Sequence, residues 1–339
     1  MMIINKNNSN KRKLKLAYLL LLLLFTTIMF STTTYAWFTS NRVVTISTIN
    51  VHVAASGGLE ISADGTNWKA IITPDDIIGV HDTSYPNSKN QLPSTMEPVS
   101  TGKTIDNSNG FLKMYYGTAE NNDSGDYILT SRRIIEEEGN GETNDGKFIS
   151  FDLFFKVSND TQIYMTNNSN VTYLNDDDGK GIAAATRIAF VDEGSLPSGS
   201  ELSDIQSLRA GRAVYIWEPN YDIHTPAAVS NARDVYGITT QSTNASRIVY
   251  DGVISDISTS DSVLLKNAKQ ANYPSLFRTV NVDYYTKKEF TEYVPVFTLR
   301  GGITKIRVYM WIEGQDVDCE NNASYDDILF DLQLTVNPS

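Results

Sequence analysis

Apolar residues recur at every second position along most of the apolar stretches of this chain. Three segments, 149–157, 305–312 and 328–336, keep this period over most of their length. Such an alternation predicts β-strands that have one face in a core and the other face largely in contact with water. Shorter stretches of similar character predict further strands at 43–53, 59–62, 171–174, 181–191, 213–217, 247–254 and 293–299.

Turn signals separate these segments, and helical signals are few. The best hairpin signal is Asp64-Gly65, which lies between Ile61 and Trp68. Only 203–210 and 261–270 favour helices, and both are too short to organise a domain. The pattern therefore predicts an all-β fold, an antiparallel β-sandwich formed by a single domain over 37–339. The polar stretch around 80–145 is interpreted as long loop insertions at one end of the sandwich.

The first 36 residues have a different pattern. Basic residues at 6, 11–13 and 15 precede an apolar run over 16–30, and a Ser/Thr-rich stretch then leads to Ala36 and Trp37. This order is typical of a secretory signal peptide. The run of about 15 apolar residues is shorter than the roughly 20 that span a bilayer. Cleavage near Ala36 is favoured, and an uncleaved N-terminal hydrophobic helix that anchors the chain in the membrane remains the alternative.

Charge and cysteine content agree with export. The chain has 28 Lys and Arg residues and 40 Asp and Glu residues, and removing the five basic residues of the leader changes the net charge from −12 to −17. A surface with this charge repels nucleic acid, so no nucleic-acid partner is expected. Cys319 is the single cysteine, which excludes an intramolecular disulfide.

The apolar alternation slips by one position in the first strand, near Ser47-Thr48. Val44 and Ile46 share one face, whereas Val51 and Val53 share the other. A β-bulge explains the slip. Alternatively, the two halves of the strand serve different cores. In that case residues 37–46 would form an arm that adds to a sheet edge of the next subunit, with Val44 and Ile46 as the inserted side chains, and the chain would self-assemble head to tail.

Motifs for catalysis are not found in the sequence. The three histidines, His52, His81 and His224, lack the spacing of a zinc site, and no phosphate-binding loop or nucleophile elbow is present. We therefore expect no enzymatic activity and no cofactor other than a possible calcium ion.

Two acidic loops are candidate calcium sites. One contains Asp176 and Asp178, and the other contains Glu313, Asp316 and Asp318 between two strong strands. Calcium takes six to eight oxygen ligands, which short acidic loops between strands can supply. The alternative for both loops is a solvated acidic turn.

The junction at 35–40, Tyr-Ala-Trp-Phe-Thr-Ser, is followed by strand-rich segments at 49–53 and 58–61. In this respect the chain resembles the exported proteins of the TasA and camelysin family. The resemblance implies a jelly-roll-like β-sandwich and processing by a signal peptidase of the SipW type. It also implies a Gram-positive surface or biofilm-matrix protein, which can form fibres alone or with related surface proteins. The expected function is a non-enzymatic structural protein, and the alternative is an adhesin-like module whose long loops bind calcium or glycan.

Overall fold

A computed structural model describes residues 15–16, 18–20, 44–54, 59–78, 90–93, 95–136, 147–173, 181–233, 248–285, 294–319 and 328–337. The chain divides into two compact units, Met1–Thr34 and Tyr35–Ser339. In the first unit the described residues are helical. None of the helices in the described ranges combines the length and the apolar character needed to cross a membrane.

Strands dominate the second unit. They are β1 (Val44–Ala54), β2 (Glu60–Ser62), β3 (Ile71–Ile72), β4 (Thr95–Met96), β5 (Met114–Asn121), β6 (Tyr127–Ile134), β7 (Ile149–Val157), β8 (Thr161–Met165), β9 (Asn170–Tyr173), β10 (Thr186–Leu196), β11 (Ala213–Glu218), β12 (Tyr250–Val253), β13 (Phe277–Val280), β14 (Tyr284–Tyr285), β15 (Phe297–Leu299), β16 (Gly302–Ile312) and β17 (Ile328–Thr335). The helices are short: α1 (Pro74–Ile78), α2 (Leu202–Gln206), α3 (Pro226–Asn231) and the 3₁₀ turns Thr259–Asp261 and Leu265–Asn267.

Two large sheets form a sandwich. The first has the order β15–β8–β17–β1–β3, with β4 also paired to β1 and β9 to β17, and the second has the order β14–β11–β10–β16–β7–β2. Most pairs are antiparallel, and the parallel ones in the described part of the chain are β1–β17 and β11–β14. The predicted all-β sandwich is confirmed. The first and last strands of the described ranges, β1 and β17, form a parallel pair that the sequence pattern did not indicate.

The main core lies on the facing sides of these sheets. The even-numbered residues of β17, such as Phe330, and those of β16 from Ile306 onwards are buried in one apolar cluster. The odd-numbered residues of β7, such as Phe151, belong to the same cluster. These are the positions that the period-two pattern assigned to a core face. Their burial supplies most of the driving force for folding, because each large apolar side chain removed from water contributes about 1.5–3 kcal/mol.

A bulge accounts for the phase slip in β1. Ile46 pairs with Ile328, but Thr48 pairs with Leu329, so Ser47 is the extra residue. Before the bulge, Val44 pairs with Met96 of β4. Val44 and Ile46 thus pair with strands of their own chain in this structure, whereas the arm hypothesis assigned them to a neighbouring subunit.

The turn after β2 forms where Asp64-Gly65 predicted it. Backbone hydrogen bonds join Ile61 to Lys69 across the turn. The Asp64 carboxylate accepts hydrogen bonds from the backbone N–H groups of Thr66 and Asn67. Gly65 has φ of +77°, a conformation that glycine adopts without steric cost. Local side-chain bonding and one glycine therefore fix this hairpin.

A further layer covers the outer face of the second sheet. It consists of the β5–β6 hairpin and the two-stranded sheet β12–β13, and we call it the cover layer. The two parts of this layer are joined to each other. Ser131 exchanges backbone hydrogen bonds with Ile257, and the Tyr115 hydroxyl donates to the carbonyl of Ile254. The β5–β6 hairpin thus stands within the stretch that the sequence pattern interpreted as loop insertions.

Because of the cover layer, β16 is buried on both faces. All its residues are buried, including Lys305 and Arg307. The prediction of a largely wet second face is therefore wrong for β16, and it is also wrong for β7, where Ser150, Asp152 and Phe154 are at most 1% exposed. It fits β17 better, where the alternate residues Leu329, Asp331 and Gln333 are partly exposed.

Candidate functional site

A row of polar and aromatic side chains follows the covered face of β16. Lys305, Arg307, Tyr309, Trp311 and Glu313 occupy alternate positions, so their side chains share one face, and all are at most 2% exposed. Apolar residues of the cover layer and of the preceding loop pack on this row: Val99, Leu112, Met114, Tyr250 and Val280. Burying charged groups in this way costs free energy unless they are paired.

One group of paired charges lies at the Trp311 end of the row, and we call it the Arg187 cluster. The Nη2 atom of Arg187 donates to Glu218 Oε1 at 2.8 Å and also to the Asp316 carboxylate. Its Nη1 atom donates to the carbonyls of Ala184 and Thr186. The guanidinium therefore links β10 and β11 to the loop that follows β16.

The same cluster contains a buried His–Asp pair. His224 Nδ1 lies 2.7 Å from Asp318 Oδ2, and both side chains are 2% exposed. Burial raises the pKa of Asp318 to about 7, although the hydrogen bond with His224 acts in the opposite direction. The other carboxylate oxygen, Oδ1, is buried and has no hydrogen-bond partner. Burial also raises the pKa of Glu218 to about 7.

Glu313 forms the centre of a separate hydrogen-bond network in this loop. Its Oε2 accepts from Trp311 Nε1 at 3.0 Å and its Oε1 accepts from the backbone N–H of Gln315 at 3.1 Å. Burial raises the pKa of Glu313 to about 7 despite these hydrogen bonds. The Gln315 side chain in turn donates to the carbonyls of Asp251 and Ala268, which ties the loop to the cover layer.

A second group of paired charges, the Arg307 cluster, lies near the middle of β16. Arg307 Nη1 donates to Asp152 Oδ1 at 2.9 Å, and Nη2 lies 3.3 Å from Glu136 Oε1. Burial alone would raise the pKa of Asp152, but the charges of Lys305 and Arg307 outweigh it and the pKa is lowered. The Arg307 guanidinium also lies 4.3 Å from the ring centre of Phe111, just before the β5 strand of the cover layer.

Of the predicted calcium ligands, three lie in the Arg187 cluster and its loop. Glu313, Asp316 and Asp318 are at most 3% exposed, so the expectation of a solvated acidic turn is wrong for this loop. The cover layer encloses the loop at Gln315, and apolar residues of α3 enclose it at Val317. Asp176 and Asp178 lie outside the described residues. In the described ranges, no group of three or more His, Cys, Asp or Glu side chains is arranged to hold a metal ion. Calcium binding therefore stays a prediction.

The other predicted site residues are not brought to this region. Ala36 and Trp37, the predicted processing residues, lie outside the described residues. Val44 and Ile46 are in β1, in the first sheet. Arg187 and Arg307 were not among the predicted site residues. The one available signal was a basic residue placed inside an apolar strand.

Comparison of the chain with models of protein families, with curated proteins and with solved structures gave no match.

Proposed function

We propose that this chain is a non-enzymatic structural protein of the bacterial cell surface or extracellular matrix, able to form fibres. The observation that carries the proposal is the enclosure of its charged clusters. Arg187 and Arg307 are fully buried and hold carboxylates from neighbouring strands and loops. In a binding or catalytic cleft, such groups would face a space that a substrate can enter. Here they join layers of the fold to one another.

The sequence adds two further supports. The leader-like segment over 1–36 is typical of exported proteins, and its junction resembles that of the TasA and camelysin family. The predicted charge of −17 after removal of this segment suits a protein that stays soluble outside the cell until it assembles. A SipW-type signal peptidase is the proposed processing partner.

Negative-stain microscopy of the chain from Trp37 onwards tests the proposal. We expect regular fibres at high protein concentration, and a matched sample that retains 1–36 should assemble less, because assembly is proposed to follow processing. Dispersed monomers at all concentrations, together with hydrolysis of casein or of a glycan, would contradict a structural role.

One observation favours an adhesin-like calcium-binding module as a second candidate. Arg187 contacts the carboxyl groups of Glu218 and Asp316, and its charge also acts on those of Glu313 and Asp318. Asp318 Oδ1 lacks a hydrogen-bond partner. Such an excess of carboxyl groups is resolved either by protonation or by a cation.

Melting curves with calcium and with chelator distinguish protonation of the carboxyl groups from binding of a cation. Calcium at 100 times its Kd would stabilise the fold by about 2.7 kcal/mol. The double substitution Asp316→Asn and Asp318→Asn should abolish the response to chelator, whereas the exposed pair Asp123→Asn and Asp126→Asn serves as the control and should retain it. If chelator leaves the parent curve unchanged, calcium has no part in the cluster.

A further inference from the structure

Three ionisable side chains from adjacent strands interact near the Arg307 cluster. Lys305 is on β16, between Asp152 on β7 and Glu193 on β10. Lys305 Nζ lies 3.2 Å from Asp152 Oδ2, and these side chains are 3% and 2% exposed. Glu193 is 1% exposed and stands at a bulge, where the register between β10 and β16 shifts. Bulges of this kind re-aim a side chain.

We propose that Lys305 and Asp152 condense to an intramolecular amide, which cross-links β16 to β7. The reacting groups are an ammonium and a carboxylate. A bond forms between Nζ and Cγ, the bond between Cγ and Oδ2 breaks, and one water leaves. The step needs no oxidant, reductant or other reactant, because the two protons lost by the ammonium leave with Oδ2 in that water.

Neighbouring side chains supply what this step requires. Arg307 donates to Asp152 Oδ1, where the negative charge of the tetrahedral intermediate develops, and so acts as an oxyanion-binding group. Glu193 interacts electrostatically with both Asp152 and Lys305, and we assign the proton transfers to it. Burial raises its pKa to about 8, so it carries a proton at neutral pH, and its Oε1 atom has no hydrogen-bond partner. It gives this proton to Oδ2 and takes one back from Nζ.

Burial separates this pair from the other lysine–carboxylate pairs of the described ranges. The side chains of these other pairs are 20–48% exposed, so water stabilises their charges: Lys69–Asp76, Lys103–Asp283, Lys147–Glu97 and Lys156–Glu60. Within the Arg307 cluster, desolvation lowers the pKa of Lys305, which increases its neutral, nucleophilic fraction. The charges of Lys305 and Arg307 lower the pKa of Asp152, so its carboxylate takes up the proton from Glu193 during the step. After condensation, Arg307 retains Glu136, Ser150 and Tyr309 as partners, so no uncompensated charge remains.

Mass spectrometry of the intact, folded chain tests the proposal. The measured mass should be lower than the sequence mass by one water. After digestion with trypsin, peptides 148–156 and 301–307 should appear as one branched species, because amide formation at Lys305 blocks cleavage there. The branched peptide also separates the cross-link from succinimide formation at an Asp-Gly step, which loses the same mass.

Matched variants complete the test. Lys305→Met leaves the Arg307–Asp152 pair in place and should restore the full sequence mass. Glu193→Gln can retain the hydrogen bond from Gly211 N–H but cannot transfer a proton, and it should also give the full mass in a folded chain. Lys156→Met removes an exposed pair and should keep the deficit. A folded parent chain with the full sequence mass, or a deficit that persists in Lys305→Met, would overturn the proposal.

Discussion

Glu313 should make the fold less stable as pH rises, and Glu313→Gln should remove this effect. The pKa of Glu313 is raised to about 7 in the fold, against a reference value of 4.5. Between these values the folded chain binds a proton that the unfolded chain releases. The free energy of unfolding therefore falls as pH rises through this window. From pH 5 to pH 8 the loss is about 2–3 kcal/mol, since each unit of pKa difference corresponds to 1.36 kcal/mol.

Urea unfolding of the parent chain and of Glu313→Gln at pH 5 and pH 8 measures this quantity. The glutamine also directs an amide N–H₂ towards Trp311 Nε1 or the Gln315 N–H, both of which are donors, at a cost of about 1–3 kcal/mol. That cost does not depend on pH. The relevant result is therefore the change with pH in the stability difference between the two proteins, which should favour the variant at pH 8.

Asp123→Asn is the control, because Asp123 is exposed in the β5–β6 turn. Its stability difference from the parent should be the same at both pH values. If the stability difference between Glu313→Gln and the parent is also the same at both pH values, burial does not raise the pKa of Glu313 in the folded chain. That result would contradict the prediction.

Three further predictions concern processing, assembly and the core. Mass spectrometry of the exported protein should find an N-terminus within a few residues of Trp37, and a retained apolar run in the membrane fraction would indicate an anchor. Deleting 37–43 should prevent fibres without lowering the melting temperature. Deleting 37–48 also removes in-chain pairs of β1 and should lower the melting temperature. If both deletion variants form fibres, the arm hypothesis is excluded. In calorimetry, Phe330→Ala should cost about 3–5 kcal/mol, and a loss as small as that of the exposed control Tyr127→Ala would contradict its place in the core.

The strands with the strongest alternation could be predicted from the sequence. β7 runs over Ile149–Val157 as expected, because its odd-numbered residues are all large and apolar. The β5–β6 hairpin could not be predicted in this way. Its strands contain Gly117, Thr118 and Arg132, and they are stabilised by pairing with distant segments, such as Ser131 with Ile257. Local propensity carries no information about such partners.

The charged clusters were missed for a related reason. Lys305 and Arg307 alternate with apolar residues, and this pattern predicts a strand whose polar face is solvated. Their burial depends on a cover layer from elsewhere in the chain, and their partners Asp152 and Glu136 are more than 150 residues away in sequence. The acidic loop was identified, but its enclosure was not, because the polar residues of 313–318 give no sign of the layer above them.

The parallel pairing of β1 with β17 has a mechanical consequence. Ile46 pairs with Ile328 at one end of the ladder, and Ala54 pairs with Thr335 at the other. The chain enters β1 and leaves β17 at opposite ends. Tension applied between the two termini would therefore pull the strands along each other, and all the interstrand hydrogen bonds would bear the load together. Rupture must then break the ladder as a whole, a geometry that resists stretching much better than one in which the bonds open one pair at a time.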